Sequence, residues 1–244
     1  MQAALRTTEE TSVVEITRAF SYAFDDKEWT SKLAILAAIA FASIITSPLL
    51  VGLVGWALLL GYYVDLVRNL RDGQPTPLPR WDRYGDKIAQ GASVLTAAFV
   101  YSLPNFLVVC CVATTSNFWG DNFTGSFIGF GTICCLTPVL LIYNLATWPM
   151  LALGTARYAE ERNIGVYFQF GDLFATLRQN LNVTLQWALY TFIANLVIGV
   201  IGAIPCIGWA VAPALAIPVQ AYLTAALGGL IETPLRGPAK RKRA

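Results

Sequence analysis

The sequence contains no histidine and only two methionines, Met1 and Met150. Without histidine the chain lacks the side chain that most often does acid–base work near neutral pH, binds zinc or copper, or ligates haem, and a His/Met haem site is impossible. Charge is scarce too: 13% of the 244 residues are Asp, Glu, Lys or Arg, against about a quarter in soluble domains. Between Lys87 and Arg157 the only charged residue is Asp121, and between Arg178 and Glu232 there is none. No Cys-x-x-Cys spacing occurs, and the adjacent pairs Cys110–Cys111 and Cys134–Cys135 make poor metal claws. No Ser-Lys or paired-Asp arrangement lies in the apolar stretches. These absences predict a chain that is not an enzyme and carries no cofactor or metal, and a net charge of +2 is too small to argue for nucleic acid.

What is present is apolar. Hydrophobic residues make up 56% of the chain and the mean hydropathy is +0.55, more than a water-soluble fold can hide. A spanning helix needs about 20 apolar residues, and the pattern predicts an all-α polytopic bundle of six spans: 33–47, 49–67, 88–112, 126–150, 183–204 and 207–230. The organisation expected is an amino-terminal segment over 1–32, a six-helix domain over 33–231 and a basic tail over 232–244. Residues 33–64 read alternatively as one tilted helix, which would put the amino terminus outside. Charge favours six. All 17 Lys and Arg then fall on one side, as the positive-inside rule requires of a cytoplasmic (inner) membrane protein with both termini in the cytoplasm. The basic cluster Lys240 to Arg243 fits contact with anionic lipid.

Short interfacial amphipathic helices are expected before two of the hairpins. Val13, Ile16, Phe20 and Phe24 recur at helical spacing, with Asp26 placed to cap the next helix and Trp29 at headgroup depth. Phe170, Leu173, Phe174, Leu177 and Leu181 share a face before the last hairpin. Gly55–Trp56 after Pro48 matches Gly208–Trp209 after Pro205, a candidate parallel internal repeat.

Polar residues within spans are few. Asn105, Asn144, Asn195 and Gln220 are expected to face protein and to hydrogen-bond between helices; lining a substrate path is the functional alternative. Asp65 is expected to pair with Arg68 at a helix end, and Glu232 has no charged neighbour within a turn. Pro104, Pro138, Pro213 and Pro218 kink their helices. Gly129, Gly131, Gly199 and Gly202 permit close helix contact. The five cysteines, Cys110, Cys111, Cys134, Cys135 and Cys206, fall in the outer half of the membrane and are expected to act as small hydrophobes, with a disulfide as the alternative. Phe118, Trp119 and Phe123 suit an interface or a partner.

The most distinctive stretch runs from Gly61 to Gly91: GYYVDLVRNLRDGQPTPLPRWDRYGDKIAQG. With Phe-Ser-Tyr-x-Phe at Phe20 to Phe24 followed by Trp29, Gly61–Tyr62 leading to Arg68–Asn69, and Leu78-Pro79-x-Trp81-Asp82, it resembles a prokaryotic membrane family known as domain of unknown function 4013. Tyr101 with Pro104, and Ala156 to Tyr158, continue the likeness. The resemblance implies a multi-pass membrane fold and no activity. The residues themselves favour a scaffold, accessory subunit or membrane-organising factor that meets the bilayer, a membrane-protein partner or a second copy. A transporter or lipid-handling protein for a small or hydrophobic substrate is the alternative.

Overall fold

The computed structural model describes residues 16–119 and 123–232, the side chains of 16, 115–130, 132 and 133 excepted. The expectations placed on Val13, on Phe118, Trp119 and Phe123, on Gly129 and on the Lys240–Arg243 tail lie outside the described residues. Among the described residues there is no strand. The helices are α1 Ile16–Ser21, α2 Trp29–Thr46, α3 Gly52–Arg71, α4 Tyr84–Trp119, α5 Phe123–Glu161, α6 Phe170–Gln179, α7 Leu181–Gly202 and α8 Ile207–Glu232, with 3-10 turns at Tyr22–Asp25, Ser47–Leu49 and Ile164–Phe168. Helix satisfies its own backbone, the condition lipid imposes. Five of these helices are long and apolar enough to cross a bilayer, within Trp29–Leu49, Tyr84–Thr114, Cys134–Glu161, Leu181–Gly202 and Ile207–Glu232. The segment expected as the second span is also a helix, α3, but Asp65, Arg68 and Arg71 near its end make it more polar than the other five.

The first hairpin is two helices rather than one tilted helix. Asp26 prepares α2: its Oδ1 accepts the Glu28 N–H at 2.9 Å and its carbonyl accepts the Trp29 N–H at 3.1 Å. At the other end Pro48 opens a 3-10 turn, and Leu50 takes a left-handed φ of 60° that throws the chain back along α2. The last hairpin turns the same way, with Pro205 followed by Cys206 at φ 63°. Two residues after each left-handed residue stands a glycine under its neighbour's backbone. A Cβ on Gly52 would lie 2.4 Å from the Ser43 carbonyl oxygen, and one on Gly208 would lie 2.2 Å from that of Ile201. The geometric counterpart of Gly208 is therefore Gly52, one turn before the Gly55–Trp56 pair that sequence similarity suggests.

α8 is the hub. Of its most apolar stretch 61% is buried, against 17–22% for the other four apolar helices, and it packs on α1, α2, α3, α5 and α7. α3 runs parallel to it in fixed register: Tyr63 Oη lies 2.7 Å from Thr224 Oγ1, and eight residues on Arg71 meets Glu232 at 2.9 Å. α2, α4 and α5 close around this pair. Glycine sets the tightest crossing. A Cβ on Gly61 would fall 1.8 Å from the Lys87 carbonyl oxygen, and one on Gly91 1.7 Å from that of Ala57. The two glycines that bound the distinctive stretch thus let α3 and α4 touch backbone to backbone, as small residues do where lipid offers no hydrophobic reason for helices to associate.

The amphipathic faces divide differently from expectation. Around α1 the buried residues are Ala19, Tyr22 and Ala23, while Phe24 is exposed and packs edge-on against Trp29. Tyr22 donates to the Pro218 carbonyl at 2.8 Å and stacks on Tyr222. On α6, Leu173 and Leu177 turn inward while Phe170 and Phe174 point out. In lipid a large apolar side chain is stable outside as well as inside, so small side chains such as Ala19 and Ala23 share the interior with leucine while phenylalanines face outward. The cysteines show the same inversion: Cys134, Cys135 and Cys206 are exposed on the apolar surface rather than buried. Pro149 joins the four expected prolines inside helices, and α5 continues past it to Glu161, eleven residues beyond the expected end of the fourth span.

The glycine crossing is directly testable. Gly91→Ala and Gly61→Ala should each destabilise the purified protein by about 1–3 kcal/mol through overpacking, read as a lowered unfolding temperature in detergent. Gly85→Ala, where an added Cβ meets nothing within 4 Å, should be near neutral.

Candidate functional site

The family-type motif folds into a clasp at the charged end of the bundle. Gly73 at φ 65° ends α3, and the chain returns over it. Asn69 Nδ2 donates to the Pro77 carbonyl at 2.9 Å, and Lys32 Nζ donates to the Leu78 carbonyl at 3.1 Å. Trp81 stacks on Tyr62 with ring centroids 4.6 Å apart and donates its indole N–H to the Lys32 carbonyl at 3.2 Å. Pro79 is buried beside Leu78, Gly61 forms the helix crossing, and exposed Asp82 lies 3.6 Å from Lys87. Seven of the eight signature residues therefore assemble in one place. Arg68 lines the same cavity as Asn69, Leu78, Pro79 and Asp82 but turns to Asp72, 3.9 Å away.

Two buried lysines hold this clasp. Lys87, 2% exposed, pairs with Asp65 at 3.0 Å, so the partner of Asp65 is a lysine on the next helix and not Arg68. Lys32 pairs with Asp26 at 2.7 Å. Burial by itself would raise the Asp26 carboxyl, but the Lys32 hydrogen bond, the Glu28 N–H and the Lys32 charge outweigh it and hold the group below the usual aspartate range. Glu232 also differs from expectation. Arg71 reaches it at 2.9 Å and Arg157 at 2.8 Å, and these arginines extend the network to Glu160, Asp172 and Thr176. Removing one partner of such a buried pair leaves the other charge uncompensated. Each of the four cations in these clusters has a carboxylate within hydrogen-bond reach, a structural arrangement, and among the described residues no group of three Cys, Asp or Glu side chains is placed to hold a metal.

The unmatched polarity lies deeper. Between α4, α5 and α7 runs a groove of about 900 Å³, open to the side of the bundle and lined chiefly by leucine, alanine and aromatic side chains. Asn105 and Asn144 sit in it, joined by reciprocal amide hydrogen bonds of 3.0 and 2.9 Å. A second cavity, of about 340 Å³, shares Ala98, Trp148 and Leu151 with the groove, and its polar lining comprises Tyr63, Thr155, Trp187, Asn195, Gln220 and Thr224. Asn195 spends its amide on the Thr191 carbonyl at 2.8 Å. Gln220 Nε2 and Trp187 Nε1 are buried and have no hydrogen-bond acceptor. The four amides singled out by sequence thus divide: two pair with each other in the groove, one serves its own helix and one lines the cavity unpartnered. Trp187, Tyr63 and Thr224 escaped sequence reasoning because Trp and Tyr in a span read as interface anchors, and nothing in the linear pattern shows three helices converging.

A family described as a protein of unknown function, DUF4013, matches residues 41–207. No curated protein and no solved structure matches the chain.

The Asp26–Lys32 pair predicts a pH dependence. A carboxyl depressed in the folded state contributes stability that is complete above its unfolded value near 4 and is lost as pH falls through the folded value. The melting temperature should therefore drop on acidification below about pH 4, and part of that drop should disappear in Asp26→Asn, which starts less stable at pH 7.

Proposed function

The chain belongs to the DUF4013 family of proteins of unknown function, and from that premise we propose that it is a non-enzymatic, six-span membrane protein that takes a hydrophobic molecule from the bilayer into the α4–α5–α7 groove. The observation that carries this reading is the apolar groove itself, about 900 Å³ and open between α4, α5 and α7, which shares Ala98, Trp148 and Leu151 with the lining of a neighbouring cavity. The groove lining, chiefly leucine, alanine and aromatic side chains, suits an alkyl chain. Neutral side chains throughout the lining favour binding over acid–base chemistry.

In this reading α3 is the sixth span, made tolerable to the membrane by its jacket of α2, α4, α5 and α8. The charged end faces the cytoplasm of a prokaryotic cell, with both termini there. The two short-helix-plus-hairpin units, α1–α3 and α6–α8, form a parallel repeat, which their matching left-handed turns and the parallel α3–α8 pair support.

A scaffold or accessory-subunit role is the second reading. It is favoured by the length of α4 and α5, 36 and 39 residues, which carries their hairpin well past a hydrocarbon core about 30 Å thick. A photo-crosslinking residue at Leu141, in the groove, separates the two in native membranes. Lipid adducts are the expected product. Adducts to a polypeptide alone would replace lipid handling with the scaffold role.

A further inference from the structure

A second unmatched polar group stands at the charged end of the bundle, in a site that shares no lining residue with the groove. Gln90, in the second turn of α4, is 9% exposed, and its amide has no hydrogen-bond partner among the described residues. Unlike the sealed Gln220 nitrogen, that amide keeps accessible surface. It lines a notch of about 10 Å³, room for a single oxygen-sized group. The rest of the lining is charged, with Arg83, Lys87 and Arg162 against Asp65 and Asp86. Lys87 is committed to Asp65 at 3.0 Å and to Asp82, outside the notch, at 3.6 Å. Arg83 and Arg162 enter no ion pair among the described residues.

The backbone singles out the same two arginines. Among the described residues four that are not glycine take a left-handed φ. Leu50 and Cys206 turn the two hairpins; the others are Arg83 at 46°, just before α4, and Arg162 at 53°, just after α5. Long side chains seldom hold this conformation, and strain of this kind persists where a site uses it. Glycine would make either turn more easily, so what arginine supplies there is its guanidinium.

We propose that the notch seats a terminal oxygen of a phosphate monoester, with the Arg83 and Arg162 guanidinia and the Gln90 amide nitrogen as donors. The remainder of the ligand occupies the adjoining cavity of about 840 Å³, which Asp65, Arg83, Lys87 and Arg162 also line. A guanidinium presents a planar fork of N–H groups that matches phosphate oxygens, and two of them offset the charge of roughly −2 that a monoester carries near neutral pH. A metal ion would meet three bases in the same place. Asp86 is the opposing charge, and it fixes the sign of one test. The ligand chemistry has two sources, the head of a phosphate-ended lipid at this face of the bilayer and a soluble phosphate ester.

The test uses the full-length protein in nanodiscs of phosphatidylcholine. One arm adds labelled dioleoylphosphatidate to the disc, and the other adds labelled glycerol 3-phosphate to the solution. Labelled dioleoylglycerol and oleate, which lack phosphate, serve as controls. Saturable binding is expected in at least one arm, and the arm that binds identifies the source. Gln90→Leu and Arg162→Gly should each weaken it roughly tenfold, the scale of one lost hydrogen bond to a charged group, while Asp86→Asn should strengthen it. Gln90→Leu removes an unpartnered buried amide and Arg162→Gly relieves a left-handed backbone, so both should melt, ligand-free, no lower than the parent. Weakened binding is then separable from loss of fold. The site would be overturned by no saturable binding in either arm, by equal binding of oleate or dioleoylglycerol, by binding that neither Gln90→Leu nor Arg162→Gly changes, or by weaker binding in Asp86→Asn. None of these outcomes touches the groove reading, which stands or falls on the adducts at Leu141.

Discussion

α3 imposes the constraint that the other helices answer. It carries Asp65 and Arg71 on a helix that also bears two tyrosines and three glycines, and lipid accepts such a helix only when protein surrounds it. Asp65 is met by Lys87 from α4, and Arg71 by Glu160 from α5 and Glu232 from α8. Each partner fixes the depth of the helix that carries it. Register between helices, which hydrophobic contact alone sets poorly in a bilayer, is here set by ion pairs at one end.

The same logic explains a core rich in alanine. Ala19, Ala40, Ala97, Ala156, Ala194 and Ala221 are wholly enclosed while Phe99, Phe106, Phe192 and Leu196 look outward. Helix association in lipid draws on close van der Waals approach and on hydrogen bonds between helices, and small side chains allow both. The Gly61–Gly91 crossing is the extreme case, and the Lys87–Asp65 pair lies beside it because the backbones come so near.

This inversion also separates what was legible in the sequence from what was not. Each apolar run expected to span forms a helix, because runs that are uncharged, or carry one acid as the second does in Asp65, admit little else in lipid. The clasp was legible as a motif, since Tyr62, Asn69, Leu78 and Trp81 stand out against an apolar background, though their contacts were not. Ion-pair partners failed for a plain reason: Asp65 and Arg68 are close in sequence, whereas Asp65 and Lys87 are brought together by a turn and a crossing. Helical periodicity marked α6 as amphipathic but grouped Phe170 and Phe174 with the inward-turned Leu173 and Leu177, because periodicity reports which side is apolar and not which side meets protein. Gln220 stands out in the sequence as one of four amides within the spans, but nothing in the linear pattern shows that its amide nitrogen and the Trp187 indole lack acceptors.

The Asn105–Asn144 pair bears on the shape of the groove over time. Hydrogen bonds between helices in a bilayer are worth on the order of 0.6 kcal/mol apiece, close to the thermal energy RT. The two reciprocal bonds therefore join the lateral halves of α4 and α5 as a catch that ordinary thermal agitation releases and resets. The groove is thus tied across by a weak polar contact, next to Pro104 on α4 and near Pro138 on α5.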